Sequence, residues 1–245
     1  MMRNIKAFMR YRGTAYHGFQ RQINAVAIQN VVEDVLSGIL NEKIVIVGCS
    51  RTDTGVHANE YCFSFKTGSL IDCGTFVRGA NALLPDDIAV TSAEDAEEGF
   101  HARYCCKAKE YVYLILNTPV KDPFYTDLAL HYPYPLDIDG MKSASAYFEG
   151  THDFTSFCGT ANLKDDPVRT IEYFKIFKDE SFVKFVVKGS GFLYNMVRIM
   201  SGTLLSVSEG KFSSDDVPKI IEGRDRRLAG RTAKAHGLYL NKVYY

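Results

Sequence analysis

Ile28-Gln-Asn-Val-Val-Glu-Asp-Val-Leu-Ser-Gly-Ile-Leu40, followed after Asn41-Glu42 by Lys43-Ile-Val-Ile-Val-Gly48, changes period partway through. Ile28, Val31, Val32, Val35, Leu36, Ile39 and Leu40 recur in steps of three and four, the spacing of a helix with one buried face. Lys43–Gly48 is a short β-branched run and reads as a strand. Outward from this pair, Ile5–Tyr11 and Asn59–Lys66 also read as strands. Phe76, Val77, Ala80, Leu83 and Leu84 mark a second helix, Pro85-Asp86-Asp87 ends it, and Ile88–Ser92 is a further strand. The order is β-α-β-β-α-β.

The same order follows in the second half. It runs through a strand at Lys109–Asn117, a helix near Asp137–Phe148, and a hairpin of Thr170–Phe177 with Phe182–Lys188. A helix then carries Leu193, Met196, Val197, Met200, Leu204 and Val207 on one face, with an inserted helix near Ser214–Ile221 and a last strand at Leu238–Tyr244. The expected fold is α+β: two ferredoxin-like β-α-β-β-α-β halves, helices on one face of antiparallel-rich sheets, and a central active-site cleft. The halves are residues 1–100, carrying the candidate catalytic loop, and 101–245. No linker rich in Pro, Gly or Ser divides them, so a short, rigid junction is expected within residues 95–106.

At 245 residues, 46% apolar and 24% charged, the chain can bury a sizeable core. No run of about 18 apolar residues is present, and Met1-Met2-Arg3-Asn4-Ile5-Lys6 lacks the apolar centre of a secretion signal. No membrane span, no export and a cytoplasmic location are therefore expected. The cysteines Cys49, Cys62, Cys73, Cys105, Cys106 and Cys158 form no Cys-x-x-Cys pair, and no two histidines have metal-ligand spacing. They read as reduced, mostly buried thiols, since a disulfide between the adjacent Cys105 and Cys106 would be strained.

Twenty-nine basic and 29 acidic residues give zero net charge, which argues against coating nucleic acid through bulk charge. The charges are sorted, however. Residues 1–32 hold Arg3, Lys6, Arg10, Arg12 and Arg21 and no acid, whereas 86–98 hold six acids and no base. A second basic stretch, Arg224, Arg226, Arg227, Arg231, Lys234 and Lys242, is opposed only by Asp225. Such runs serve as solvated faces or as partner-binding strips.

Between the strands ending at Gly48 and starting at Asn59 lie ten residues, Cys49-Ser-Arg-Thr-Asp-Thr-Gly-Val-His-Ala58, where about two to five would close a hairpin. The surplus suits a site. Arg51 and Asp53 are two apart, and an arginine fork beside a carboxylate keeps it ionised and oriented. Thr52 and Thr54 can satisfy the turn backbone, and Gly55 permits a positive φ. Taken alone, Arg51-Thr52-Asp53 reads more simply as an aspartate capping its own turn beside a surface arginine.

The string Arg51-Thr-Asp-Thr-Gly-Val-His-Ala58 resembles the catalytic motif of the TruA family of tRNA pseudouridine synthases. Further segments are similar in the same order: Tyr11–Gln22, Phe100–Arg103, Lys109–Tyr113, Gly150–Phe157, Pro167–Arg169, Gly191–Arg198, and Arg224 through Leu240. Phe19 stands where many family members have tryptophan. The resemblance implies conversion of uridine to pseudouridine at positions 38, 39 and 40 of the tRNA anticodon stem-loop, without metal or organic cofactor, by a homodimer that shares one tRNA across both subunits.

The resemblance assigns catalysis to Asp53 as nucleophile. Whether its carboxylate adds to the base, bonds to the sugar or removes a sugar proton stays open. Arg51 is assigned to pairing with Asp53 and to filling the space left by a flipped nucleotide, and Arg198 to holding Asp53 ionised. Tyr111 is the expected platform for the uracil, although a tyrosine in an alternating strand is also a packing residue. Leu193 either packs on the uracil or belongs to the core. Arg10, Arg12, Arg21 and the carboxyl-terminal basic stretch are candidates for tRNA phosphates. His57 either contacts RNA or completes the loop's hydrogen bonds. A catalytically silent tRNA-binding protein and an enzyme of free nucleosides are the rival readings.

Overall fold

The computed structural model describes residues 2–159 and 166–245. The backbone forms two compact units, Met1–Lys107 with Leu240–Tyr245, and Ala108–Tyr239. The first contains β1 (Arg3–Tyr11), α1 (Ile28–Leu40), β2 (Val47–Gly48), β3 (His57–Thr67), α2 (Cys73–Leu83) and β4 (Ile88–Ala96). The second contains β5 (Ala108–Leu116), β6 (Leu130–His131), α3 (Ile138–Ala146), β7 (Gly150–Asp153), β8 (Val168–Asp179), β9 (Phe182–Gly189), α4 (Met196–Ser208) and α5 (Asp216–Gly223). A last strand, β10 (Leu238–Tyr244), gives its residues from Leu240 onward to the first unit. There Lys107 N donates to Tyr244 O at 2.8 Å. The expected first half ends at residue 100 and leaves the last strand in the second; these compact units divide after Lys107 and return the chain's end to the first.

In the first unit β1 lies antiparallel between β3 and β4, with Ile5 opposite Phe65 and Asp95. Alternate residues Ile5, Ala7, Met9 and Tyr11 are buried, the period-two pattern of a strand with one face on a core. Ile28, Val32, Leu36 and Leu40 bury the apolar stripe of α1. The first amides of that helix are satisfied from outside it: Ile28 N donates to Gly18 O (3.1 Å) and Gln29 N to Phe19 O (3.0 Å).

The expected strand at Lys43–Gly48 is a correction, because only Val47–Gly48 pair, with Ser64 and Phe63 of β3. The amides before them go to side chains of α1. Ile44 N donates to Ser37 Oγ (3.0 Å) and Ile46 N to Glu33 Oε1 (3.0 Å). Glu33 is buried, accepts from Gln29 Nε2 (2.8 Å), and pairs with Arg21.

In the second unit the strand order is β5-β9-β8-β7, each neighbour antiparallel, with β6 parallel to β5. Ser145 of α3 donates to Phe174 O of β8 (3.2 Å), seating that helix on the sheet. Almost the whole circumference of α4 is buried. A Cβ on Gly202 would stand 1.8 Å from Arg231 O, so glycine there admits the returning chain. The helix begins at Met196, not Leu193. Asn195 adopts a left-handed φ of 60°, which ends the preceding loop and leaves Leu193 outside the helix. The short β6 and β7, two and four residues, were not anticipated.

The cysteines are free thiols, with Cys49, Cys62 and Cys158 buried and the other three half-buried. Burial pushes the Cys62 thiol up to about 12. Among the described residues no helix is long and apolar enough to cross a membrane.

Candidate active site

The segment between β2 and β3 is Cys49–Val56, eight residues, because β3 starts at His57. Its backbone is fixed from the Tyr11–Phe19 side. Thr52 is buried, its hydroxyl shares a 2.8 Å hydrogen bond with the Tyr11 hydroxyl, and its carbonyl accepts from Phe19 N at 3.2 Å. Gly55 N donates to Tyr16 O (3.3 Å), and Val56 N closes a turn onto Asp53 O (3.1 Å). Gly55 itself has φ 78°, the conformation expected from the sequence. Earlier in the segment Tyr61 donates its hydroxyl to Ser50 O while its ring stacks on Phe19 at 4.4 Å. Asp53 is therefore a half-buried carboxylate whose neighbours on both sides are held by the fold.

The expected Arg51–Asp53 pair is a correction. The Arg51 guanidinium is exposed and makes no hydrogen bond or ion pair among the described residues. The backbone bonds named above fix this turn without the arginine. His57 is a second correction as a tRNA ligand: it is fully buried and its Nδ1 accepts from Gly13 N at 2.9 Å, so the imidazole completes the loop's network.

Of the basic residues in the first 32, three are engaged within the unit. Arg3 pairs with Asp95 (2.8 Å) and Lys6 with Glu94 (2.8 Å) across β1 and β4, and Arg21 pairs with buried Glu33. The Asp95 carboxyl is held below the usual carboxylate range by the Arg3 hydrogen bond. Arg10 and Arg12 remain exposed, without a side-chain partner among the described residues. The carboxyl-terminal arginines are also largely engaged: Arg224 with Asp153 (3.1 Å), Arg227 with Asp225 (2.6 Å) and Arg231 with Glu209 (2.6 Å).

A cavity of about 210 Å³ opens beside Arg51 in the first unit. Its wall includes Phe19, Gln20, His101, Arg103 and Tyr104. The last three were not singled out as site residues. Their signal was a histidine and an arginine inside Phe100–Arg103, a segment already quoted for its resemblance, with a tyrosine directly after it.

In the second unit Tyr111 lies on β5 opposite Val187, buried, with its ring edge-on to Phe192 at 5.1 Å. Arg198 is in the first turn of α4. Its Nε donates to Ala233 O (2.8 Å) and one terminal nitrogen to Asn195 Oδ1 (2.7 Å), which fixes the direction of the guanidinium. Leu193 is half-buried in the loop before α4, so it is not the core leucine of the simpler reading. Among the described residues, no three His, Cys, Asp or Glu side chains gather closely enough to hold a metal ion.

A family model described as tRNA pseudouridine synthase matches residues 144–245, the segment containing Leu193 and Arg198. Proteins named tRNA pseudouridine synthase A are similar over the whole chain. That of Acetivibrio thermocellus is 44% identical over 244 residues, covering 100% of both chains. That of Clostridium acetobutylicum is 44% identical with the same coverage, and that of a Thermoanaerobacter species is 43% identical, also over 100% of both. The chain belongs to the tRNA pseudouridine synthase A family. Membership extends over both units, and so includes the Arg51–Ala58 string as well as the segments around Tyr111 and Arg198.

Proposed function

We propose that this family member isomerises uridine to pseudouridine in tRNA, at positions 38, 39 and 40 of the anticodon stem-loop, with Asp53 as the catalytic carboxylate. The observation that carries this reading is the setting of Asp53. It is a half-buried acid in a turn fixed by Tyr11, Tyr16 and Phe19, within a string that resembles the family's catalytic motif.

The reaction breaks the bond from the ribose carbon to N1, turns the uracil, joins C5 to the same ribose carbon and releases the C5 proton to solvent. N1 regains a proton. Asp53 serves as the nucleophile or proton acceptor that opens the first bond. A target stacked in a helix must first be flipped out, at a cost of a few kcal/mol that aromatic and cationic contacts offset. Tyr111 is assigned to the uracil face and, through its phenol, to the late proton transfer; Leu193 is assigned to the same base. Arg198, already oriented by Ala233 O and Asn195, is assigned to keeping the Asp53 carboxylate ionised.

Arg51, exposed and without an acidic partner among the described residues, is assigned to the RNA, where it takes the place of the extruded nucleotide. Arg10 and Arg12 are assigned to phosphates, with affinity that falls as salt rises. The proposal extends to a homodimer in the cytoplasm that shares one tRNA across both subunits. Sedimentation of the purified protein checks its dimer.

Release of tritium from C5-labelled uridine in a transcribed tRNA tests the reaction. The wild-type protein should release tritium from a transcript with uridine at positions 38–40 and none from one carrying cytidine at all three. Equal release from both transcripts, or turnover of free labelled uridine, would contradict the proposal.

A further inference from the structure

The turn at His101–Cys105 is rigid, yet it presents its two largest side chains to solvent. Ala102 is buried, its amide donates to Ser64 Oγ (3.2 Å), and its carbonyl accepts from the Tyr245 hydroxyl (2.7 Å). Cys105 N donates to His101 O (3.0 Å). His101 Nδ1 accepts from the amides of both Arg103 and Tyr104 (3.2 Å each), which places the proton of a neutral ring on Nε2. The imidazole stacks on the Tyr104 ring, centroids 4.2 Å apart at 25°. Tyr104 is nevertheless 79% exposed. An exposed aromatic ring backed by a second ring on an anchored turn is a stacking platform whose ordering cost is met in folding.

The surroundings define what the platform takes. No Asp or Glu lines the cavity between this turn and the Phe19–Arg51 side. Arg51 and Arg103 are both exposed and have no acidic partner among the described residues. Gln20 uses its Nε2 on Gln29 Oε1 (2.8 Å) and keeps its side-chain oxygen on an exposed residue at the wall. At about 210 Å³ the space is smaller than the roughly 300–1,000 Å³ that whole small-molecule ligands fill. Stacking face, amide oxygen and the Arg103 cation match one base with a flanking phosphate.

We propose that this cavity binds one unpaired nucleotide of the RNA that is not itself isomerised: its base stacks on Tyr104, its edge meets Gln20, and its phosphate lies by Arg103. The inference rests on the reading of the substrate as tRNA and adds a site to it. Such a contact holds the RNA by a nucleotide outside the reaction, so it contributes to binding and leaves the chemical step alone.

The test measures the affinity of a fluorescently labelled tRNA transcript and the single-turnover tritium release at saturating enzyme. Tyr104→Ala should weaken binding five- to about 150-fold, the range for loss of one stacked base, with a saturating rate within about twofold of wild type and an unchanged melting temperature. Tyr104→Phe should bind as wild type, because the ring is kept. Arg103→Ala should weaken binding and flatten the log–log salt dependence by about one phosphate contact. Binding by Tyr104→Ala equal to wild type, or Tyr104→Phe as weak as Tyr104→Ala, would overturn the site. Tyr104-dependent binding by a wild-type protein that releases no tritium would keep the site and remove the enzymatic reading. Normal tritium release with binding indifferent to Tyr104 would do the reverse.

Discussion

Tyr11 and Thr52 share a buried hydroxyl–hydroxyl bond of 2.8 Å, so the residue immediately before the candidate catalytic aspartate is tied to the last residue of β1. Tyr11→Phe removes one partner and leaves the buried Thr52 hydroxyl without it. The expected cost is about 1–3 kcal/mol of stability, read by urea unfolding, together with slower tritium release as the turn carrying Asp53 loosens.

Gly18 approaches the same turn from the other side. Its φ is +82°, and a Cβ there would stand 2.5 Å from Thr52 O and 3.2 Å from the Asp53 carbonyl carbon. Gly18→Ala therefore combines a left-handed backbone penalty of about 1–2 kcal/mol with displacement of the catalytic turn. A shift near 1 Å at reacting groups costs on the order of 100-fold in rate. The expected result is a large fall in saturating turnover with nearly unchanged tRNA affinity, measured by single-turnover kinetics and equilibrium binding.

Arg21 separates a structural from an RNA-binding role. Its partner Glu33 is buried and also holds Gln29 and the Ile46 amide in place. Arg21→Ala leaves that carboxylate without its cation, and Glu33→Ala removes all three bonds; about 2–4 kcal/mol is expected for the latter. Thermal unfolding should show a clear loss for both variants. Arg12→Ala, an exposed residue whose side chain has no partner among the described residues, should instead weaken tRNA binding in a salt-dependent manner without lowering the melting temperature.

His236 gives the fold an acid-sensitive point. Burial holds its imidazole below the ordinary value of 6.5, assisted by Lys234 and Arg198 and opposed by Asp127. The unfolded chain therefore binds the proton more readily than the folded one. The associated stability is complete above about pH 6.5 and is lost as pH falls through the lowered folded value. His236→Gln should flatten the fall in melting temperature between about pH 7 and pH 5; an unchanged slope would place the sensitivity elsewhere.

The helix α1 was legible because seven apolar residues repeat along one face, and β1 because Ile5, Ala7, Met9 and Tyr11, which the structure buries, stand at alternate positions. Lys43–Ile46 looked equally strand-like. The amides of Ile44 and Ile46 belong to Ser37 and Glu33, however, and a buried acid on a helix face leaves no periodic trace. Leu193 fits the α4 stripe by spacing alone; the left-handed Asn195 excludes it from the helix. The site shows the same division. The Arg51–Ala58 string was readable as a string, and the need for glycine at position 55 followed from its turn. The hydrogen bonds that hold His57 and Thr52 come from Gly13 and Tyr11, far away in sequence, where no local pattern could show them. Charge sorting was real along the chain, but β1 and β4 lie side by side, and Arg3 and Lys6 meet Asp95 and Glu94 there. Arg10 and Arg12 are what remains of the acid-free stretch as an open basic surface.

The central claim is that Asp53 performs the chemistry, and its most direct test is tritium release from C5-labelled tRNA by Asp53→Asn. The substitution keeps the shape of the side chain and removes its charge. The variant should retain its melting temperature and bind tRNA, while the rate of release falls by more than about 100-fold. Release at a rate near wild type by a folded Asp53→Asn protein would contradict the account.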